Sequence, residues 1–472
     1  MEMDLPGRVR EVLSPFLLSK ETLERIRDEM VRDFRLGLEV GAPPASTAML
    51  PSFVPALPDG TEEGCYLSMD LSGKNLRVLL LQLRGAGHAP DYVTTNYLVP
   101  KEVMIGTGVQ LFDFMVSCLE KFLKENNMLE TELSLGFVFS YPCEMKGIRS
   151  AKLLWWTKGF NVEDCLNQDV GQMLQEALDR KKIRVKVNAI MNDTVAQLAA
   201  ATHSIGSDCT MGIVIGYGCN SAYLEEVSRI KKIDHAAAGY NFPKVHFCKI
   251  LLGHIVNAND VQMIIDTEWE EFGRNGELDF IKTTYDREID QQSVHKGRQL
   301  IDKFTGAFFL GELVRILIDQ FCVDGLMFGG TRPEQLTTPD AFPTKFVSEI
   351  LSDDEEAPFA NIRRIMDEMR IGIHGAMDYV IIRQVCHTVT ERSASIVAAA
   401  TAALMKIAQH DRLVVGLGGA LIQYHPTYLK LLKTRLEEIV PPEITEWHVA
   451  PDEHGSAFGA AIIAAVAEKM HL

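Results

Sequence analysis

Several features are missing from this sequence. Its nine cysteines (Cys65, Cys118, Cys143, Cys165, Cys209, Cys219, Cys248, Cys322 and Cys386) never form a C-x-x-C pair. Odd in number and widely spaced, they exclude a disulfide frame or a clustered zinc site and read as buried thiols in a reducing compartment. No run of about 18 apolar residues occurs, and "MEMDLPGRVREVLSPF" mixes charges where a secretory leader would be apolar, so neither a membrane span nor a leader is expected. A net charge of −17 without a long basic stretch argues against nucleic acid, which is bound through phosphate contacts from Lys and Arg. The patterns H-E-x-x-H, G-x-S-x-G and G-x-x-x-x-G-K-[ST] are absent too, which removes the zinc-protease, nucleophile-elbow and P-loop readings.

What is present begins with length. The chain's 472 residues exceed the roughly 250–300 at which one core stops growing, so two lobes are expected. Residues 20–39 place Leu23, Ile26, Met30, Phe34 and Leu38 at helical spacing, with Ser19 or Glu21 near the N-terminal cap. A Pro- and Gly-rich connector follows, with "PDG" forcing a turn. Then "CYLSMDL", "NLRVLLLQL" and "DYVTTNYLVP" read as a meander of three strands, and helix, strand, helix and strand follow to residue 191. After residue 208 the order begins again with "TMGIVIGYGCNSAYLEE", a second glycine-turned hairpin, and later "RLVVGLGGAL", "EWHVAP" and a terminal helix. The pattern predicts a structural duplication of largely parallel α/β sheets, with ligands at the carboxyl ends of strands.

Four stretches could carry chemistry. In "DLSGKN" a glycine turn offers backbone N–H groups to a phosphate and Lys74 adds a charge; standing alone it is a hairpin turn. "IGYGCNSAY" repeats the device with Gly216 and Gly218. In "MNDTVAQLAAA" a strand ends and a helix starts, so Asp193 is either a capping carboxylate contributing about 1 kcal/mol or a general base aimed into a cleft. In "WWTKGF", Lys158 could neutralise a transferring phosphoryl group. Glu268 and Asp302 are ordinary acids taken singly, but carboxylates and amides gathered in one cleft suit a polyhydroxylated substrate.

These motifs, in this order, resemble the eukaryotic hexokinase family from about residue 15 to 470, including "MLPSFVPALPDGTEEG", "LGFVFSYP", "WTKGF", "NDTVAQL", "DTEWEEFG", "GELVRILI" and "HGSAFGAAIIAAVAEK". The resemblance implies an actin-like ATPase (ribonuclease H-like) fold with duplicated βββαβα cores around a central cleft. It implies a small lobe of residues 55–191 plus 456–472 and a large lobe of 1–54 plus 192–455. It also implies transfer of the ATP γ-phosphate to the 6-hydroxyl of glucose or a related hexose, feeding glycolysis. Asp193 would then be the base and Lys158 would serve the phosphoryl group. Ser140, Thr157, Lys158, Asn192, Asp193, Asn220, Glu268, Gln299 and Asp302 would hold the sugar. Asp70, Gly73, Lys74, Asn75 and Arg77 match the first phosphate loop, Gly216 and Gly218 the second, and Thr344, Ser348 and Gly419 the adenosine side. Magnesium would arrive with ATP, no protein metal site is implied, and the enzyme would be cytosolic, with peripheral attachment to mitochondria left open.

Departures from the family pattern gather on the nucleotide side. Ser72 stands for a glycine, Lys74 and Tyr217 for threonines, Gly418-Gly419-Ala420 for D-G-S, and His454 to Gly459 for D-G-S-G-K-G. On the sugar side Asp266 stands for Asn, Glu270 for Gly and Asp302 for Glu. Serine at a turn position requiring positive φ, and a ring beside a phosphate cradle, would each disfavour nucleotide. A second reading therefore stays open: a catalytically impaired hexokinase-like protein that binds hexose in a regulatory or sensing role.

Overall fold

The computed structural model describes residues 4–40, 44–156, 159–233, 262–354, 356–408 and 412–472. Thirteen strands are described: β1 (Leu50–Pro51), β2 (Glu63–Ser72), β3 (Asn75–Arg84), β4 (Asp91–Leu98), β5 (Leu133–Phe139), β6 (Cys143–Gly147), β7 (Ser150–Leu153), β8 (Val185–Met191), β9 (Cys209–Ile215), β10 (Cys219–Glu226), β11 (Gln262–Asp266), β12 (Arg412–Gly418) and β13 (Glu446–Pro451). They form a five-stranded sheet in the order β4-β3-β2-β5-β8, a six-stranded sheet in the order β1-β11-β10-β9-β12-β13, and the hairpin β6-β7.

Numbered within each half, both large sheets run third, second, first, fourth, fifth. In each, the first three strands are antiparallel neighbours and the last two join in parallel. The duplication expected from the two glycine hairpins is thus a duplication of topology, with the short β1 added at one edge. The predicted N-terminal helix is Lys20–Gly37, capped by Ser19, whose side chain accepts from the Thr22 N–H at 3.3 Å.

Helices cover both sheets. Gly108–Glu125 and Val170–Arg180 bury Phe112, Phe122 and Leu174 against one face of the small sheet. Its other face is closed by Ser456–Lys469, at the C-terminal end of the chain, through Phe458, Ala461 and Ile462. Conversely, the helix Asp193–Ile205, which follows the small sheet's last strand, packs on β9, β10 and β12 of the large sheet. Each half lends its last helix to the other.

These two helices cross backbone to backbone. A Cβ at Gly459 would lie 1.7 Å from the Ala196 carbonyl oxygen, so only glycine fits that crossing. Behind the large sheet, the 33-residue helix Ala376–Ala408 packs against Lys20–Gly37. There Arg392, 1 % exposed, forms a two-pronged ion pair with Asp286 at 2.7 and 2.9 Å. Its guanidinium also lies over Phe304, two residues beyond Asp302.

Candidate active site

The carboxyl ends of β8 and β11 and the start of β10 bring neighbouring polar side chains together. β8 ends at Met191, and Asn192 then caps the helix Asp193–Ile205, its amide oxygen accepting from the Thr194 N–H at 2.9 Å. The cap is therefore Asn192 and not Asp193. Asp193 occupies the first helical position, partly buried, and its carboxylate makes no hydrogen bond to any described residue. Asn220, at the start of β10, donates to Asp266 at 2.9 Å, and Asn192 donates to Glu268 at 3.3 Å. Thr194 also donates to Asp266 at 3.2 Å.

Glu268 is fixed by its backbone. Thr267 before it bonds the Ser221 hydroxyl at 2.8 Å, and Trp269 after it donates its indole N–H to the Cys219 carbonyl at 2.8 Å. Between these anchors Glu268 adopts left-handed φ/ψ of 50° and 44°. Gln299 does the same at 52° and 47°. Such conformations cost about 1–3 kcal/mol each and persist where the surroundings over-determine them, as at binding sites. Asp302, three residues on, accepts from the Cys219 N–H at 2.7 Å, which places it one residue from Asn220. Asn192, Asp193, Asn220, Glu268 and Asp302 are thereby brought to one cleft. A small cavity of ≈ 30 Å³ opens beside them, lined by Tyr141, Asn192, Asp266 and Glu268. Ser140, 6 % exposed, directly follows β5 and precedes Tyr141.

The acids of this cleft crowd one another. Burial first, then Glu268, pushes Asp266 well above the usual carboxylate range. Burial and Glu270 do the same to Glu268, and burial with Asp302 and Asp266 raises Glu270 to about 8. Among the described residues no group of three or more His, Cys, Asp or Glu is arranged to hold a metal ion. Thr157 and Lys158 lie outside the described residues.

On the opposite side, the first loop is a two-residue turn with Ser72 paired to Asn75. Its left-handed residue is Gly73, at φ 56°, and Ser72 stays outside that region. The strain expected from serine is therefore absent, because the turn needs positive φ one position later. The Lys74 side chain is exposed and makes no hydrogen bond or ion pair with a described residue, while its backbone carbonyl accepts from the Val99 N–H at 2.9 Å, and Arg77 donates to Asn96 at 3.0 Å. Asp70, at the end of β2, accepts from Ser456 at 2.6 Å, tying this loop to the start of the terminal helix. In the second loop the Gly216 N–H donates to the Gly218 carbonyl, and the Gly216 carbonyl accepts from Ala307 at 2.8 Å. Thr344 donates to the Ala307 carbonyl and accepts from the Gly311 N–H, so Thr344 and Gly216 belong to one connected surface. Gly419 abuts Ile215, beside Gly216, while Ser348 lies one turn along the helix Thr344–Leu351. Tyr217 turns outward, 76 % exposed, with its ring 5.6 Å from Phe308.

Sequence reasoning did not place Thr194 or Trp269 at the site, and reached Ser456 only within the run His454 to Gly459 that departs from the family pattern. Asp266 and Glu270 stood out only as departures from a pattern. An acid run through "DTEWEEFG" beside a strand end was the available signal.

Two family models, both described as hexokinase, match residues 8–203 and 210–466. A hexokinase of Brugia malayi is 38 % identical over 98 % of this chain and 78 % of its own length. One of Schistosoma mansoni is 33 % identical over 98 % of both chains. Hexokinase-1 of Mus musculus is 33 % identical over 98 % of this chain, which spans 46 % of that protein. The solved Schistosoma mansoni hexokinase complexed with glucose superposes with a TM-score of 0.85 over 97 % of this chain and 98 % of that one, at 33 % identity. With both halves matched and the duplicated actin-like ATPase topology in place, the chain belongs to the hexokinase family.

Proposed function

We propose that the protein transfers the γ-phosphoryl group of ATP, supplied as its magnesium complex, to the 6-hydroxyl of a hexose in the cytosol. The observation that carries this is Asp193: a carboxylate at a strand end, without a hydrogen-bond partner among the described residues, flanked by the amides and acids that polyhydroxylated ligands require. The glucose in the Schistosoma structure supports the substrate class.

In this reading Asn192, Asn220, Glu268 and Asp302 hold ring hydroxyls, with Ser140, Thr157, Lys158 and Gln299 completing the cradle. Asp193 accepts the proton of the 6-hydroxyl. The O6–P bond forms, the bond from the γ-phosphorus to the β,γ-bridging oxygen breaks, and ADP leaves. The hairpin of Asp70, Gly73, Lys74, Asn75 and Arg77 meets the phosphates from one side and Gly216 and Gly218 from the other, with Thr344, Ser348 and Gly419 towards the adenosine. Magnesium, bound to the nucleotide, neutralises phosphate charge. Closure of a lobe of residues 55–191 plus 456–472 over one of 1–54 plus 192–455 excludes water as a competing acceptor. The unstrained Ser72 and the outward Tyr217 favour an active kinase over an impaired sugar binder.

A coupled assay with glucose and Mg-ATP tests the reading. Asp193→Ala is expected to lower kcat by about 10²–10⁴-fold while calorimetric glucose affinity stays within a few-fold. Wild-type turnover no greater than that of Asp193→Ala refutes it.

A further inference from the structure

A cation bridges the two halves beside the sugar cleft. Arg298 stands directly before Gln299, in a turn fixed by the buried Lys303, whose ammonium donates to the Arg298 carbonyl at 2.8 Å, to the His295 carbonyl at 2.6 Å and to Asp290 at 2.5 Å. The Arg298 guanidinium grips Glu271 at two points, Nη2 to Oε1 at 3.1 Å and Nε to Oε2 at 3.2 Å. Glu271 ends the short turn that Glu268 opens, and the Trp269 indole pins that turn to the Cys219 carbonyl. The same guanidinium lies 5.1 Å from the centre of the Trp155 ring. Trp155 belongs to the other half: it follows β7, whose Leu153 packs in the core of the small sheet, whereas Leu300 and Ile301, just after Gln299, pack in the core of the large one. Its neighbour Trp156 faces inward, donating to the Val162 carbonyl at 2.7 Å with its ring 4.9 Å from that of Tyr141, the residue after Ser140.

The arrangement uses what a guanidinium has and an ammonium lacks. Its edge satisfies a carboxylate at two points while its planar face stays free to stack on a ring, and both contacts hold at once. Arg298 thereby joins three segments: Gln299 through the chain, Glu268 through Glu271, and Ser140 through Trp155, Trp156 and Tyr141. The first two lie in the large half and the third in the small half. Arg298 and Trp155 remain 40 % and 39 % exposed, so their contact adds little to the folded core. Resting on the kinase reading above, we propose that Arg298 is a positioning residue: held by Glu271 and seated on Trp155, it keeps the two sides of the sugar cradle at the separation at which they grip a hexose. It acts through Gln299, Glu268 and Ser140 and not on the reacting atoms.

The test measures glucose affinity by calorimetry, and kcat and both KM values in the coupled assay, for wild type, Trp155→Ala, Trp155→Phe, Arg298→Ala and the double variant Trp155→Ala/Arg298→Ala. Trp155→Ala and Arg298→Ala should each weaken glucose binding by about 2- to 30-fold, the range a cation–π contact supplies, and raise KM for glucose with it while KM for ATP and Tm hold. The double variant should bind glucose no more weakly than Arg298→Ala, because either truncation removes the same contact. Trp155→Phe, which keeps a ring face, should recover most of the loss. Losses that add in the double variant, unaltered glucose affinity in Trp155→Ala, or equal rises in both KM values overturn the proposal. Should Arg298→Ala fail to fold, Trp155→Ala against Trp155→Phe decides. If wild type binds glucose without phosphorylating it, the kinase reading falls and the calorimetric ranking still decides this one; if wild type binds no glucose, both fall.

Discussion

Replacing Gly459 by alanine adds one methyl group where the two exchanged helices touch. That Cβ would stand 1.7 Å from the Ala196 carbonyl oxygen, 2.6 Å from its carbon and 3.0 Å from the Ala200 nitrogen, all backbone atoms that no rotamer change can move. Normal contact needs about 3.5 Å, so the helices must part by roughly 1.5–2 Å. The terminal helix has nowhere to retreat. On its far side the Ala460 carbonyl already lies against β5, where a Cβ at Gly136 would be 2.0 Å from that oxygen. Overpacking of this kind costs about 1–3 kcal/mol, and a site closed on both sides belongs at the upper end. Helix propensity alone predicts the opposite sign, a gain of about 0.5–1 kcal/mol for glycine to alanine. Calorimetry should show Tm lowered by roughly 2–3 °C. Steady-state kcat should fall as well, because Asp193 begins one helix and Ser456, the partner of Asp70, begins the other. A Tm equal to or above that of the wild type would refute the argument.

Other expectations follow from the acids, the first loop and the buried ion pair. Glu270 titrates near 8 in the folded protein against 4.5 ordinarily, so the stability its proton lends is complete below about pH 4.5 and lost as pH rises through 8. The ligand-free Tm should fall over that window, less steeply in Glu270→Gln; an identical slope contradicts the assignment. Lys74→Ala should raise KM for ATP about three- to tenfold while KM for the sugar holds, since the side chain is exposed and committed to nothing else; an improved KM for ATP would show instead that Lys74 obstructs the phosphates. Asp286→Ala strands the Arg392 guanidinium and should cost about 3–5 kcal/mol by denaturant unfolding, with Asp286→Ala/Arg392→Met recovering much of it; additive losses would show that the pair is not coupled.

The meander, the second hairpin and the duplicated order were legible because apolar runs broken by glycine turns are local signals. β11 and the β6-β7 hairpin were not read as strands. β11 has only five residues, and β6 alternates charged and apolar residues on a hairpin outside both large sheets. The site was partly legible. Asp193 stood out at a strand-to-helix junction, but the choice between cap and base depended on whether Asn192 would take the cap, a matter of φ and ψ that composition does not carry. Likewise, the left-handed turn at Glu268 and the approach of Glu270 to Asp302 arise from segments more than thirty residues apart in sequence and are visible only once the chain is folded.

The exchange of closing helices also bears on how the protein is made. On a ribosome the small sheet is complete when Met191 emerges, yet one of its faces stays bare until the chain's last helix, Ser456–Lys469, has been synthesised. A nascent chain halted anywhere in the second half presents Tyr66, Leu79 and Leu81 to the surroundings with nothing to cover them. Neither half covers its own sheet on both faces, and truncation of even the final turns should turn a folded product into a client of chaperones.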